Sequence, residues 1–94
     1  MKNAMLIDRK DNVIVAIEPI GKGETAFYEG DGQKGELLAA EDIPIYHKLA
    51  LRDISAGEKL IKYGEYIGEA GMNIPAGSHV HTHNVLSIRE KIVD

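Results

Sequence analysis

Three histidines stand at every second position near the end of the chain, at His79, His81 and His83. In an extended segment successive side chains point to opposite faces, so the three imidazoles would share one face. Each imidazole has two ring nitrogens that need partners, and a row of three is therefore costly to bury in an apolar core. The spacing predicts a polar row on a strand. Two interpretations are open: the row binds a metal ion or substrate, or it is a solvated or interface-facing strand.

Composition excludes several kinds of site and partner. The chain has 94 residues, no cysteine and a formal net charge of −4. The lack of cysteine excludes disulfides, thiolate zinc sites and cysteine-bound iron–sulfur clusters, and the negative charge argues against nucleic acid as a partner. No apolar run approaches the roughly 18 residues of a membrane span, and the start of the chain lacks a signal-peptide core. We therefore expect a single cytoplasmic domain, residues 1–94, that binds no membrane.

The apolar residues form short clusters separated by glycine-bearing turns, with no sustained stripe at helical spacing. Short strands every 8–12 residues are typical of a small all-β domain. Because aromatic residues are scarce, we expect a core of aliphatic side chains. The predicted strands are residues 13–17, 25–28, 36–40, 47–52, 60–63, 65–70 and 80–88.

An internal repeat relates residues 53–60 to residues 73–80, which share the pattern [Asp/Asn]-Ile-x-Ala-Gly-x-x-[Leu/Val]. We interpret each copy as a one-turn helix whose Asx side chain caps the N–H groups two or three residues further on. Gly57 and Gly77 would then supply the left-handed residue that ends the turn and starts a strand. The alternative is a chance similarity of two turns. Either interpretation concerns structure rather than activity.

Three segments together carry a resemblance to a known family. They are His-Lys-Leu-Ala-Leu-Arg-Asp-Ile-x-Ala-Gly-Glu at 47–58, Ile-Lys-Tyr-Gly-x-x-Ile-Gly-x-Ala at 61–70 and Ile-x-Ala-Gly-x-x-Val-His-Thr-His-Asn at 74–84. In this order and spacing the chain resembles the SAF domain of the altronate/galactarate dehydratase (UxaA) family. The resemblance covers nearly the whole chain, and residues 44–85 are its specific part. It implies an all-β, SAF-like β-clip fold of short strands. The one-turn helices interpreted from the repeat are compatible with that fold.

The same resemblance implies a function. In this family the domain is either the N-terminal part of a long chain or a small subunit paired with a large catalytic UxaA-like subunit. We therefore expect a subunit of a hydro-lyase that is inactive alone, with a sugar acid as substrate and iron or manganese as a divalent metal in the complete enzyme. Such a dehydration needs a base, an acid for the leaving hydroxyl and a cation beside the developing charge. A homo-oligomer is a further possibility.

The resemblance and the chemistry of the side chains together indicate candidate site residues. It is strongest at His81, His83 and Asn84 and weakest at His79. His81 and His83 are the candidate catalytic residues, and with His79 they are the candidate metal ligands. The candidate substrate contacts are Asn84, His47, Lys48 and Arg52.

Two of these candidates also have structural interpretations. His47 could be a strand residue that hydrogen-bonds to the backbone, and Arg52 could form a surface pair with Asp53. For carboxylate recognition, the guanidinium of Arg52 would be the better bidentate group. The sequence leaves both choices open.

Other functions remain open as well. Related small subunits serve other lyases, including sulfolactate sulfo-lyase, so the substrate is not determined. A non-catalytic SAF binding module is an alternative of a different class. A β domain of this size is too small to enclose a sugar acid, since small-molecule sites normally bury most of their ligand. The subunit interpretation is therefore preferred over an independent enzyme.

Overall fold

The computed structural model describes residues 2–87, which form nine short strands and no helix. Six strands form one sheet in the order β4-β3-β1-β2-β5-β8, and β6-β7-β9 form a second sheet. This agrees with the predicted all-β β-clip fold. No helix in these residues could cross a membrane. The strands are β1 (Ala4–Met5), β2 (Val13–Ala16), β3 (Thr25–Gly30), β4 (Gln33–Leu38), β5 (Lys48–Ala50), β6 (Lys59–Lys62), β7 (Glu65–Ala70), β8 (His79–Val80) and β9 (Val85–Ser87).

Strands β2 and β5 separate two aliphatic cores. Alternate residues of each strand point to opposite faces, so β2 contributes Ile14 to one core and Val13 to the other. In the same way β5 contributes Leu49 to the first core and Ala50 to the second. The predicted alternation along residues 47–52 is confirmed at these positions, and Leu51 packs against the first core with Leu49.

Two hairpins, β3–β4 and β6–β7, meet the connection between β1 and β2. Their two-residue tips have positive φ at both positions, as in type I′ turns. The buried carboxylate of Asp11 accepts the N–H groups of Tyr63 (3.0 Å) and Gly64 (2.8 Å) at one tip. At the other tip, the N–H of Arg9 donates to Asp31 (2.8 Å) and lowers the pKa of that carboxyl. One connection therefore holds both hairpins.

The repeated turn occurs four times among the described residues, whereas the sequence pattern revealed two copies. Each copy has an almost fully buried isoleucine, and the isoleucines bridge in two antiparallel pairs, Ile20 with Ile43 and Ile54 with Ile74. Three residues after each isoleucine the backbone is left-handed. The four left-handed residues are Gly23, Tyr46, Gly57 and Gly77, with φ of 85°, 68°, 87° and 85°.

The local geometry of these turns differs from the prediction. Each is a β-turn closed by an N–H···O=C bond between residues three apart, with the left-handed residue third, as in a type II turn. The Asx side chains cap the opposite copy rather than their own. Asp53 accepts from the N–H of Ala76 (2.8 Å) and Asn73 from the N–H of Ala56 (2.9 Å). The predicted local cap was wrong because the Ile54–Ile74 bridge places the two turns side by side.

Three asparagines make the same pair of hydrogen bonds to the backbone. In each, Nδ2 donates to a carbonyl and Oδ1 accepts from the N–H two residues further along. The side chain thereby bonds to an extended segment much as a neighbouring strand would, and we call this arrangement an asparagine bracket. The brackets join Asn3 to Thr25 and Phe27, Asn12 to Lys59 and Ile61, and Asn84 to His79 and His81.

Replacing Asn12 by alanine should lower the free energy of unfolding by about 2–4 kcal/mol. The change leaves the Lys59 carbonyl and the Ile61 N–H without their partners, and an unsatisfied buried polar group costs about 1–3 kcal/mol. Urea unfolding measures the difference, with Lys10→Ala at an exposed position of the same connection as the control. A loss for Asn12→Ala no larger than that of the control would contradict the structural role of the bracket.

Candidate functional site

All four histidines of the chain converge at one place. His47 directly precedes β5, and His79 lies in β8, which pairs antiparallel with β5. Nδ1 of His47 is 2.8 Å from Nε2 of His79, although 32 residues separate them. The ring centroid of His81 is 4.7 Å from that of His47 and 5.3 Å from that of His79, and the ring of His83 is 5.6 Å from that of His79. We call these four residues the histidine cluster.

The cluster is not formed by one extended row. The predicted strand 80–88 is wrong in its first half, because β8 ends at Val80 and residues 81–84 form a turn before β9. Residue 88 of that prediction lies outside the described residues. The turn is closed by a hydrogen bond from the N–H of Asn84 to the carbonyl of His81 (3.0 Å). His81 and His83 therefore project from a turn, where both are exposed, and His79 alone projects from the strand.

His79, which the family resemblance supports least, is the centre of the cluster. Its ring lies against those of the three other histidines. Burial lowers the pKa of His79, and the positive charges of His47, His81 and His83 lower it further. The negative charge of Glu41 opposes these effects. A lowered pKa keeps the imidazole neutral at pH 7, the form in which its nitrogen can accept a proton or bind a metal ion.

Three of the histidines are arranged as a candidate metal site. One ring nitrogen from each of His47, His79 and His81 lies within 4.8 Å of the other two. Three imidazoles on a tetrahedral zinc ion have neighbouring nitrogens about 3.3 Å apart, so the three nitrogens would have to draw closer to share one ion. The donor set suits ions that prefer nitrogen ligands, such as zinc and iron. The predicted metal set of His79, His81 and His83 differs from this group in one member, and it stays a prediction.

Comparison with known proteins places the chain in a family. Residues 2–88 match the family described as "Altronate/galactarate dehydratase SAF domain". The chain belongs to this family. The resemblance found in the sequence is thereby confirmed.

The curated relatives of this SAF domain are dehydratases and a sulfo-lyase. It is 37% identical over 84 residues to altronate dehydratase of Bacillus subtilis, which is 89% of this chain but 16% of that protein. It is 36% identical over 78 residues to (2R)-sulfolactate sulfo-lyase subunit alpha of Chromohalobacter salexigens, covering 81% of this chain and 83% of that subunit. The same subunit of Paracoccus pantotrophus is 48% identical over 54 residues. The chain thus spans about a sixth of the dehydratase but most of the alpha subunits.

Asn84 holds the histidine-bearing segment of the SAF domain in place. Asn84 is 5% exposed, its Oδ1 accepts from the N–H of His81 (2.9 Å), and its Nδ2 donates to the carbonyl of His79 (2.8 Å). The oxygen and the nitrogen of the side-chain amide therefore both have backbone partners already. The predicted substrate contact by Asn84 stays a prediction. What the geometry shows is that Asn84 fixes the backbone of two cluster histidines.

The two candidate cations lie apart from the cluster's contacts. Within residues 2–87, neither Lys48 nor Arg52 has a hydrogen bond or ion pair with a histidine. Burial lowers the pKa of Lys48, and the charge of Lys62 adds to this. Arg52 pairs with Glu58 (Nη2···Oε2 2.6 Å) rather than with the carboxylate of Asp53, and its hydrogen bond lowers the pKa of Glu58. Contact of either cation with a substrate stays a prediction.

The lowered pKa of His79 predicts a pH-dependent stability of the metal-free domain. Because the folded-state pKa lies below the unfolded value of 6.5, the unfolded state binds more protons in the window between the two. The contribution of His79 to the free energy of unfolding should therefore be complete well above pH 6.5 and should fall as the pH drops through and below this value. Urea unfolding in the presence of a chelator, from pH 8 to pH 5, measures this dependence.

The variant His79→Gln should show a flatter dependence over the same window, since glutamine does not titrate. His83→Gln, at the exposed edge of the cluster, is the matched control and should change the slope less. A slope for His79→Gln equal to that of the unsubstituted domain would show that His79 does not cause the dependence.

Proposed function

We propose that this chain is the small subunit, or N-terminal domain, of a sugar-acid dehydratase of the altronate/galactarate hydro-lyase type. The histidine cluster is the observation that carries the proposal: His47, His79 and His81 each place a ring nitrogen within 4.8 Å of the other two. These ring nitrogens need partners, which a metal ion or a substrate would supply. Relatives named as an altronate dehydratase and a sulfolactate sulfo-lyase subunit support the same class of reaction.

In this proposal the cluster residues have three roles: metal binding, proton transfer and positioning. A divalent ion held by His47, His79 and His81 would supply a positive charge beside the carboxylate of the substrate as negative charge develops there. His83 is exposed at the edge of the cluster, where its imidazole can exchange a proton with a bound sugar acid. Asn84 keeps His79 and His81 in place through the backbone. His81 is a ligand in this arrangement, and proton transfer by His81 is the alternative assignment.

A large subunit is needed to complete the site. His81 and His83 are exposed and His47 and His79 only partly buried, whereas small-molecule sites bury roughly 70–90% of their ligand. The relatives offer both arrangements: the dehydratase has most of its length outside the matched segment, and the sulfo-lyase relatives are named as alpha subunits. We therefore propose a UxaA-like large chain as partner, with little activity for the SAF domain alone.

A sulfonate lyase is the second candidate. The chain covers 81% and 83% of the two sulfolactate sulfo-lyase alpha subunits, a closer match in size than any dehydratase relative offers. In that reaction sulfite rather than water would leave, and the need for a cation beside the substrate carboxylate would be the same.

Co-expression with the UxaA-like large chain of the same genome tests the proposal. We expect a stable complex that consumes altronate, galactarate or sulfolactate, and far lower turnover by either chain alone. The substrate that is consumed distinguishes the two candidates. A SAF domain that forms no complex and adds no activity on any of the three would contradict a subunit role.

Within the active complex, His81→Ala and His83→Ala should each lower kcat by about 10²–10⁴-fold, the usual contribution of a group that moves a proton or binds the reacting centre. His81→Ala should also lower the bound metal, measured by elemental analysis, whereas His83→Ala should leave it nearly unchanged. Lys22→Ala, at an exposed turn, is the control and should match the unsubstituted complex. Unchanged kcat in both histidine variants would make the cluster structural.

A further inference from the structure

Tyr46 has a backbone conformation that the equivalent turns assign to glycine. Its φ is 68°, and the residues at the same place in the three other turns are Gly23, Gly57 and Gly77, with φ of 85° to 87°. A bulky side chain is strained in this region because its Cβ crowds the neighbouring backbone. Glycine would fit the turn without that strain.

Within the described part of the chain, the side chain of Tyr46 makes no polar or ring contact that would offset the backbone strain. Its N–H donates to the carbonyl of Ala16 (2.7 Å), the bond that each glycine makes at its own turn. Tyr46 is 73% exposed, and among residues 2–87 its side chain has no hydrogen bond and no ring contact. The turn requires a left-handed residue but not a tyrosine, and strained backbone positions cluster at functional sites.

Tyr46 lies at the edge of the histidine cluster. It is bonded directly to His47, whose N–H closes the same turn on the carbonyl of Pro44 (3.1 Å). Ile45, the residue before it, is 41% exposed. An exposed aromatic ring beside an exposed aliphatic side chain has the chemistry of a protein interface core, which is enriched in tyrosine and poor in charge. A sugar acid, covered with hydroxyl and carboxylate groups, suits such a pair less well.

We propose that Tyr46, together with Ile45, is an anchor by which the large subunit docks over the histidine cluster. The inference rests on the proposed function, which requires a covering chain at this place. In the dehydratase relative the matched segment is 16% of the protein, so most of that polypeptide lies outside the matched segment and is long enough to cover the cluster. Docking on Tyr46 fixes the turn that ends at His47 and so holds one cluster histidine where the second chain closes the site.

The test compares Tyr46→Gly with Tyr63→Gly in the complex of the two subunits. Tyr63 is the matched control, because it is also a left-handed tyrosine, with φ of 57°, and is 55% exposed. We expect Tyr46→Gly to weaken association with the large chain at least tenfold by calorimetry and Tyr63→Gly to leave it unchanged. The isolated Tyr46→Gly domain should unfold at the same temperature or higher and bind Co²⁺ as before, since the turn then has its preferred residue.

Tyr46→Ala removes the aromatic ring without adding the backbone freedom of glycine. If the ring is the anchor, Tyr46→Ala should weaken association as Tyr46→Gly does. Association of either variant equal to that of the unsubstituted domain overturns the anchor while leaving the proposed function intact. A Tyr63→Gly effect as large as that of Tyr46→Gly also overturns it. Failure of the unsubstituted domain to associate overturns the proposed function, and the anchor with it.

Discussion

Backbone hydrogen bonding outside the regular ladders is the constraint on which this structure depends. The strands are two to six residues long, so N–H and C=O groups in the connections, and in strand segments that extend past a short neighbour, have no ladder partner. A buried group left without a partner would cost about 1–3 kcal/mol. Asparagine and aspartate side chains supply the missing partners, through the asparagine brackets, the Asx caps across paired turns and the Asp11 contact with a hairpin tip. Among the described residues, no buried side-chain polar atom lacks a hydrogen bond.

The histidine cluster uses a structural unit that the fold repeats for other purposes. Asn3 and Asn12 bracket segments that begin with Thr25 and Lys59, whereas Asn84 brackets the segment from His79 to His81. The same geometry that bonds to residues of β3 and β6 therefore presents two imidazoles here. Because the bracket bonds only to the backbone, the side chains of the bracketed residues are free to change. A site can then be placed on the unit without altering the fold.

The sequence predicted the elements more accurately than their connections. Strands at 13–17, 60–63 and 65–70 lie within one residue of β2, β6 and β7 at each end, since alternation of apolar residues is a local property. The prediction for 36–40 was displaced, because β4 (Gln33–Leu38) starts at the hairpin tip and has little apolar alternation. The repeat was found only where glycine marks the turn and the sequences agree closely. Tyr46 concealed one further copy, because a tyrosine gives no sign of a left-handed backbone.

For the site, the sequence by itself determined the residue types, the spacing of three histidines and the family. Tertiary structure decided which of these residues meet. His47 joins the cluster because β5 pairs with β8 in a register that sets Leu49 opposite His79, and the pairing of strands thirty residues apart cannot be read from local periodicity. The tertiary structure also places His79 at the centre of the cluster, pairs Arg52 with Glu58 and ends the strand at Val80. These outcomes depend on contacts between distant segments, whereas composition and spacing describe each segment alone.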